Sequence, residues 1–155
     1  MGRLDSSAGM ILLGEGQGRF QGINSGRSGL EILGECRNSI IADFNHDGRS
    51  DILATQTLGQ AQLYLGQSEK RGIRLMFDSK IELAKRLGCS VHLSYSNETS
   101  SPSRWLHSGD GVLAQCSSEA VLGFKEWPSS IQIVWSDGEM QTILVRPEIY
   151  EYTAQ

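Results

Sequence analysis

No apolar run in this sequence exceeds the length of a short β-strand. The runs are Met10–Leu13, Ser39–Ala42, Ile52–Ala54, Leu63–Leu65, Val91–Tyr95, Ile131–Trp135 and Ile143–Val145, each bounded by Gly, Asp, Asn or Ser. Runs of that size between turn-forming residues read as strands. Glycine occurs 18 times and proline three times, so the chain is punctuated throughout. In "SIQIVWSDGEMQTILV", Ile131, Ile133 and Trp135 alternate onto one face, "SDG" turns, and Met140 to Val145 returns, which predicts a β-hairpin. The only helix-like stretch is "KIELAKRLG", which ends at Gly88 as at a C′ position. The fold class is all-β.

At 155 residues the chain makes one domain or two small ones. A chain of this size buries roughly 68–70% of its unfolded surface, so a core needs no staples. The net charge of −4 argues against a nucleic-acid or anionic-membrane partner, which calls for a basic face. The three cysteines Cys36, Cys89 and Cys116 allow one disulfide at most and show no zinc spacing. No segment reaches the ~18 apolar residues of a membrane helix. The first residues lack a signal-peptide core, which predicts either a cytosolic protein or a natural start upstream of Met1.

"GMILLGEG" and "AQLYLGQS" align with Leu13-Gly14 on Leu65-Gly66, an offset of 52 residues. A period near ~50 suits a four-stranded propeller blade. On this reading one blade lies between Gly14 and Gly66, and the strand at Met10–Leu13 belongs to a preceding one. The pattern stops at "GQSEKRG", Gly66 to Gly72, where a boundary falls. The two parts are therefore residues 1–66 and residues 72–155. A lone blade leaves Ile40, Ile52 and Leu63 partly uncovered, so the reading carries two further expectations: a piece of a longer protein, and either self-association through the uncovered blade or a mobile N-terminal half attached to an ordered C-terminal domain.

"DFNHDGRSD" is the densest chemistry in the chain. Hard cations such as Ca²⁺ take six to eight oxygens, which a tight loop delivers by alternating side chains with carbonyls. Asp43, Asn45 and Asp47 fill positions 1, 3 and 5; Gly48 permits the turn; the Arg49 carbonyl falls at position 7 and Asp51 at position 9. An EF-hand has a bidentate Glu at position 12, where this chain has Ala54 within a strand-like run. The motif is thus a Ca²⁺ loop between strands; the plainer alternative is an Asp/Asn/Gly-rich turn. His46 is a bystander, since a hard cation prefers oxygen.

"LLGEGQGRF…GL…SIIADFNHDGRSDILATQTLGQAQLYLG" resembles one FG-GAP or VCBS-type repeat, the blade unit of integrin-α-like propellers. The resemblance covers about residues 9 to 66 and implies a calcium loop pinning the connection between two blade strands. The segments "LGCSVHLSY", "RWLHSGDGVLAQCSSEAVLGF" and "IQIVWSDGEMQ" resemble the ASPIC/UnbV domain, which follows FG-GAP blades in cartilage acidic protein-like proteins. That family shows a G-S-G-Y-L-S-Q loop, an F-G-L-G turn and a V-x-W-P-x-G-x-x-Q hairpin. Here Val112 and Ala114 replace the loop's aromatic and serine, "LGF" stands for the turn, and Ser136 replaces the proline. The resemblance implies an extracellular or cell-surface location.

Catalytic signatures are missing: no G-x-S-x-G elbow, H-E-x-x-H or P-loop. His92 and His107 read as isolated polar residues, and Cys89 and Cys116 as small core residues. Among Trp105, Trp127 and Trp135, the last alternates with core residues and is expected buried. Trp105, beside Arg104, and Asp110, between two glycines, are the candidate ligand surface, with ordinary packing and an ordinary turn as the plain alternatives. The leading function is a non-enzymatic, calcium-binding module for extracellular interaction or adhesion, with a protein or glycan partner. The rival is a carbohydrate-binding accessory domain of an extracellular enzyme.

Overall fold

Alternation at period two decides which side of each strand turns inward. The computed structural model describes residues 9–107 and 119–155, and over these the chain is mostly strand with two one-turn helices. The order is β1 (Met10–Gly16), β2 (Arg19–Asn24), α1 (Ser25–Ser28), β3 (Cys36–Ala42), β4 (Asp51–Gln56), β5 (Gln62–Tyr64), β6 (Ile73–Phe77), α2 (Leu83–Arg86), β7 (Ser90–Ser94), β8 (Arg104–Trp105), β9 (Ala120–Leu122), β10 (Ser130–Val134), β11 (Met140–Leu144) and β12 (Glu151–Ala154). No helix among the described residues is long and apolar enough to cross a membrane.

The larger core lies beyond residue 72. A four-stranded sheet in the order β11-β10-β7-β8 and a three-stranded sheet in the order β12-β6-β9 share one apolar cluster. Val91, Leu93, Ile131 and Ile133 come from the first sheet, and Ile73, Leu75, Ala120 and Ala154 from the second; all are fully buried. Ile131 stands opposite Leu93, and Ile133 opposite Val91, so aliphatic pairs meet across the ladder. β10 and β11 form the hairpin expected from "SIQIVWSDGEMQTILV", with Trp135 5% exposed. Gly138, at φ +88°, supplies the left-handed residue of its turn and donates to the Trp135 carbonyl. β12 joins β6 in parallel, Tyr152 beside Leu75.

The part before residue 66 has a thin core of Leu30, Ile32 and Ala54, flanked by Ile11, Ile52 and Tyr64. β3, β4 and β5 form an antiparallel sheet, while β1 and β2 form a separate ribbon. This differs from the sequence expectation of one four-stranded unit with Met10–Leu13 belonging elsewhere. "GQG" at residues 16–18 closes a tight turn with positive φ at all three positions, which folds "RFQGIN" back onto Met10–Gly16. The expected helix in "KIELAKRLG" shrinks to the single turn α2, with Leu87 at its C-cap and Gly88 left-handed (φ +83°) at the expected C′ position, its amide donating to the Leu106 carbonyl.

Candidate functional site

The acidic loop joins two antiparallel neighbours, leaving β3 at Ala42 and entering β4 at Asp51, which face each other across the ladder. Reversal within so few residues forces left-handed backbone, found at His46 (φ +58°) and Gly48 (φ +80°). A side chain at position 48 would also press on the Arg71 guanidinium.

The side chains curl back onto the loop's own amides. Asp43, 7% exposed, accepts from the Asp47 N–H at 3.0 Å and the Gly48 N–H at 2.9 Å, one on each oxygen. The Asn45 oxygen accepts from the same Asp47 N–H at 3.2 Å, so the oxygens of Asp43 and Asn45 stand around one donor. Asp47 accepts from the Arg49 N–H on Oδ1, and from the Asn45 amide on Oδ2 at 2.9 Å. The Arg49 guanidinium sits 3.1 Å from that same Oδ2. The Asn45 amide, aided by Arg49, holds the Asp47 carboxyl below its ordinary 3.8. Asp51 is fully buried and accepts from the Phe44 and Gly66 amides, both at 2.8 Å.

Asp43, Asn45, Asp47 and Arg49 are therefore linked through shared bonds, while Asp51, at the end of the loop, turns its two oxygens to the Phe44 and Gly66 amides. A carboxylate offers about four lone-pair sites, so Asp43 and Asp51 keep acceptor capacity beyond the two bonds each makes. The donor set is oxygen throughout, which fits a hard cation. Among the described residues no group of three or more Asp, Glu, His or Cys side chains forms a ready-made metal cage. The acidic side chains thus need the Asn45 oxygen and backbone carbonyls to complete a shell. A cation on Asp47 Oδ2 also competes with Arg49, an opposition the sequence did not reveal.

The loop is fastened to the segment between the two cores. Gly48 accepts from the Gly72 N–H at 2.7 Å, Asp47's carbonyl accepts from Arg71 Nε at 2.8 Å, and Arg49 Nε donates to the Ser68 carbonyl. Gly66 has no room for a side chain, since a Cβ there would lie 2.6 Å from the Ser50 carbonyl oxygen. Arg71 lies over the Tyr150 ring at 5.0 Å, Tyr150 meets Trp127 edge-on at 5.3 Å, and Trp127 meets Phe124 at 5.0 Å. This ladder was invisible in the sequence, because Arg71, the Phe124–Trp127 pair and Tyr150 come from three separate segments.

Trp105 is 59% exposed on β8 and does not join the acidic loop, although Arg104 lines a small crevice with Asp43 and Ser50. Asp110 and Cys116 lie outside the described residues. Cys89 is fully buried, and burial pushes its thiol up to about 11, which suits a packing role. Cys36 is exposed. The His92 Nδ1 is buried without a hydrogen-bond partner. Compared with known proteins, the chain matches no family model, and no curated protein matches it.

Proposed function

We propose that the chain is a non-enzymatic, calcium-stabilised β module for extracellular interaction or adhesion. In this reading residues 1–66 are an FG-GAP/VCBS-type propeller unit and residues 72–155 an ASPIC/UnbV-like domain. The observation that carries it is the fastening of the acidic loop, through Asp47, Gly48, Arg49 and Asp51, to residues 66–72. A rigid loop at that place fixes how one part is held against the other, which suits a module that presents a binding surface. Asp43, Asn45, Asp47 and Asp51, with the Arg49 carbonyl, are the residues that hold the cation. When bound, Ca²⁺ supplies charge neutralisation, offsetting the mutual repulsion of the carboxylates. The exposed apolar side chains Met10, Leu12, Phe20 and Leu63 offer contact surface on the N-terminal part, including for self-association.

A cation that binds only the native state stabilises it by about 2.7 kcal/mol at a hundredfold excess over its dissociation constant. Melting the protein in Ca²⁺ and in EDTA tests the reading. EDTA lowers the melting temperature of the wild type and has little further effect on Asp47→Ala. A wild-type curve indifferent to EDTA refutes calcium stabilisation.

A further inference from the structure

Where β7 ends, the chain turns sharply, and the turn faces the segment after β9 across a cleft of about 580 Å³. That volume lies within the range of small-ligand sites. Tyr95 and Pro102 form one wall and Phe124 the other. Both rings also pack against the main core, so they are held from behind. Phe124 is further backed by Trp127, whose ring it meets at 82°.

The turn is stiff. Tyr95 N–H donates to the Thr99 carbonyl at 2.9 Å, and Ser101 exchanges bonds with the Leu93 backbone in both directions. Thr99 directs both its N–H and its hydroxyl at the Asn97 oxygen, at 3.2 and 2.6 Å. The Asn97 oxygen is thereby occupied, and its NH₂ has no hydrogen-bond partner among the described residues. Across the cleft, exposed Lys125 and Glu126 bring one positive and one negative side chain.

We infer that this cleft binds one or two residues of an uncharged glycan. The inference rests on the interaction-module reading and names its partner class, at a site separate from both Trp105 and the acidic loop. A sugar ring presents C–H faces to aromatic walls and hydroxyls that both donate and accept. The cleft matches each demand: the Tyr95 and Phe124 rings for the faces, Asn97 NH₂ and Lys125 as donors, Glu126 as acceptor. The opposite charges of Lys125 and Glu126 cancel, which selects against phosphorylated or sulfated ligands. Trp105 pairs with Ser90 at the start of β7, the opposite end of that strand from Tyr95.

Titration of the full chain with neutral tetrasaccharides built on glucose, mannose, galactose and N-acetylglucosamine tests this. The readouts are Trp fluorescence, which Trp127 reports through Phe124, and amide NMR shifts. At least one sugar saturates the signal and shifts the amides of residues 95–102 and 123–126, in Ca²⁺ and in EDTA alike. Asn97→Ala and Glu126→Gln, both at exposed positions, each weaken binding about tenfold, which is near the upper end for a neutral hydrogen bond and the lower end for a charged one. Phe124→Ala abolishes it, with far-UV circular dichroism recorded to show that the variant is folded. No saturable signal with any of the four sugars, or tighter binding of a sulfated analogue, overturns the inference. So does binding that survives Asn97→Ala and Glu126→Gln but is lost in Trp105→Ala. Failure of calcium stabilisation appears in the melting curves and failure of the cleft in the titration, so the two are told apart.

Discussion

Asp51→Asn isolates what a buried carboxylate contributes to the acidic loop apart from any cation. Asp51 is fully buried at the first position of β4 and accepts one backbone N–H on each oxygen, from Phe44 and from Gly66, both at 2.8 Å. Asparagine keeps the shape but turns one acceptor into a donor. One of the two amides then faces an N–H instead of an oxygen. Leaving a buried donor unpaired costs about 1–3 kcal/mol, and the surviving bond weakens as it loses its charge. The sum is about 2 kcal/mol for Asp51→Asn and about 4 kcal/mol for Asp51→Ala, which strips both acceptors. The three tryptophans all lie beyond residue 100, and Trp127 reaches the acidic loop only through Tyr150 and Arg71, so their fluorescence does not follow the β3–β4 ladder itself. Native-state hydrogen exchange does. In EDTA, protection of the Gly66 amide and of the β3–β4 ladder falls about 30-fold in Asp51→Asn, which is 2 kcal/mol. Equal protection in wild type and Asp51→Asn under EDTA refutes the reasoning, since the carboxylate would then matter only as a ligand.

Trp135→Ala removes a ring that is 5% exposed and meets Phe77 edge-on at 5.8 Å; it costs about 3–5 kcal/mol in urea denaturation, and in the wild type Trp135 is quenched by acrylamide less than Trp105. Arg49→Gln keeps the backbone carbonyl but frees Asp47 Oδ2 from the guanidinium at 3.1 Å, so calorimetric titration finds Ca²⁺ bound about 3–10-fold tighter; weaker binding would mean that the guanidinium shapes the site. Cys36 reacts with a disulfide reagent at pH 8 while Cys89 waits for unfolding. Because burial raises the Cys89 thiol from 9.0 to about 11, the native state keeps its proton longer than the unfolded chain. This contribution to stability is complete below pH 9 and declines as pH rises through that window, and Cys89→Ala flattens the decline.

Local pattern carried much of this fold. Ile131 and Ile133 alternate cleanly, and "SDG" closes their hairpin by turn chemistry alone. "DFNHDGRSD" declared its turn and its oxygens in one stretch, because every participant from Asp43 to Asp51 is local. What escaped was non-local. β9 is three residues long, and β8 two, too short for any period to register. β2 reads "RFQGIN", with no apolar alternation, and exists because the turn before it returns the chain onto β1. The cleft escaped for the same reason. Tyr95 and Phe124 look like ordinary core aromatics until the sheets bring their segments face to face.

The parallel pairing of β12 with β6 sets the order in which the chain can reach its native state. Every partner in that ladder lies on the order of 80 residues away in sequence, the kind of separation that raises contact order and slows folding. Ile73, Leu75 and Phe77 are ready early, but the edge of β6 stays unpaired until Glu151–Ala154 arrive. In that interval an apolar strand with free backbone groups is open to any other chain. Refolding yield should therefore fall with protein concentration, and an added peptide carrying residues 147–155 should restore it by closing the edge.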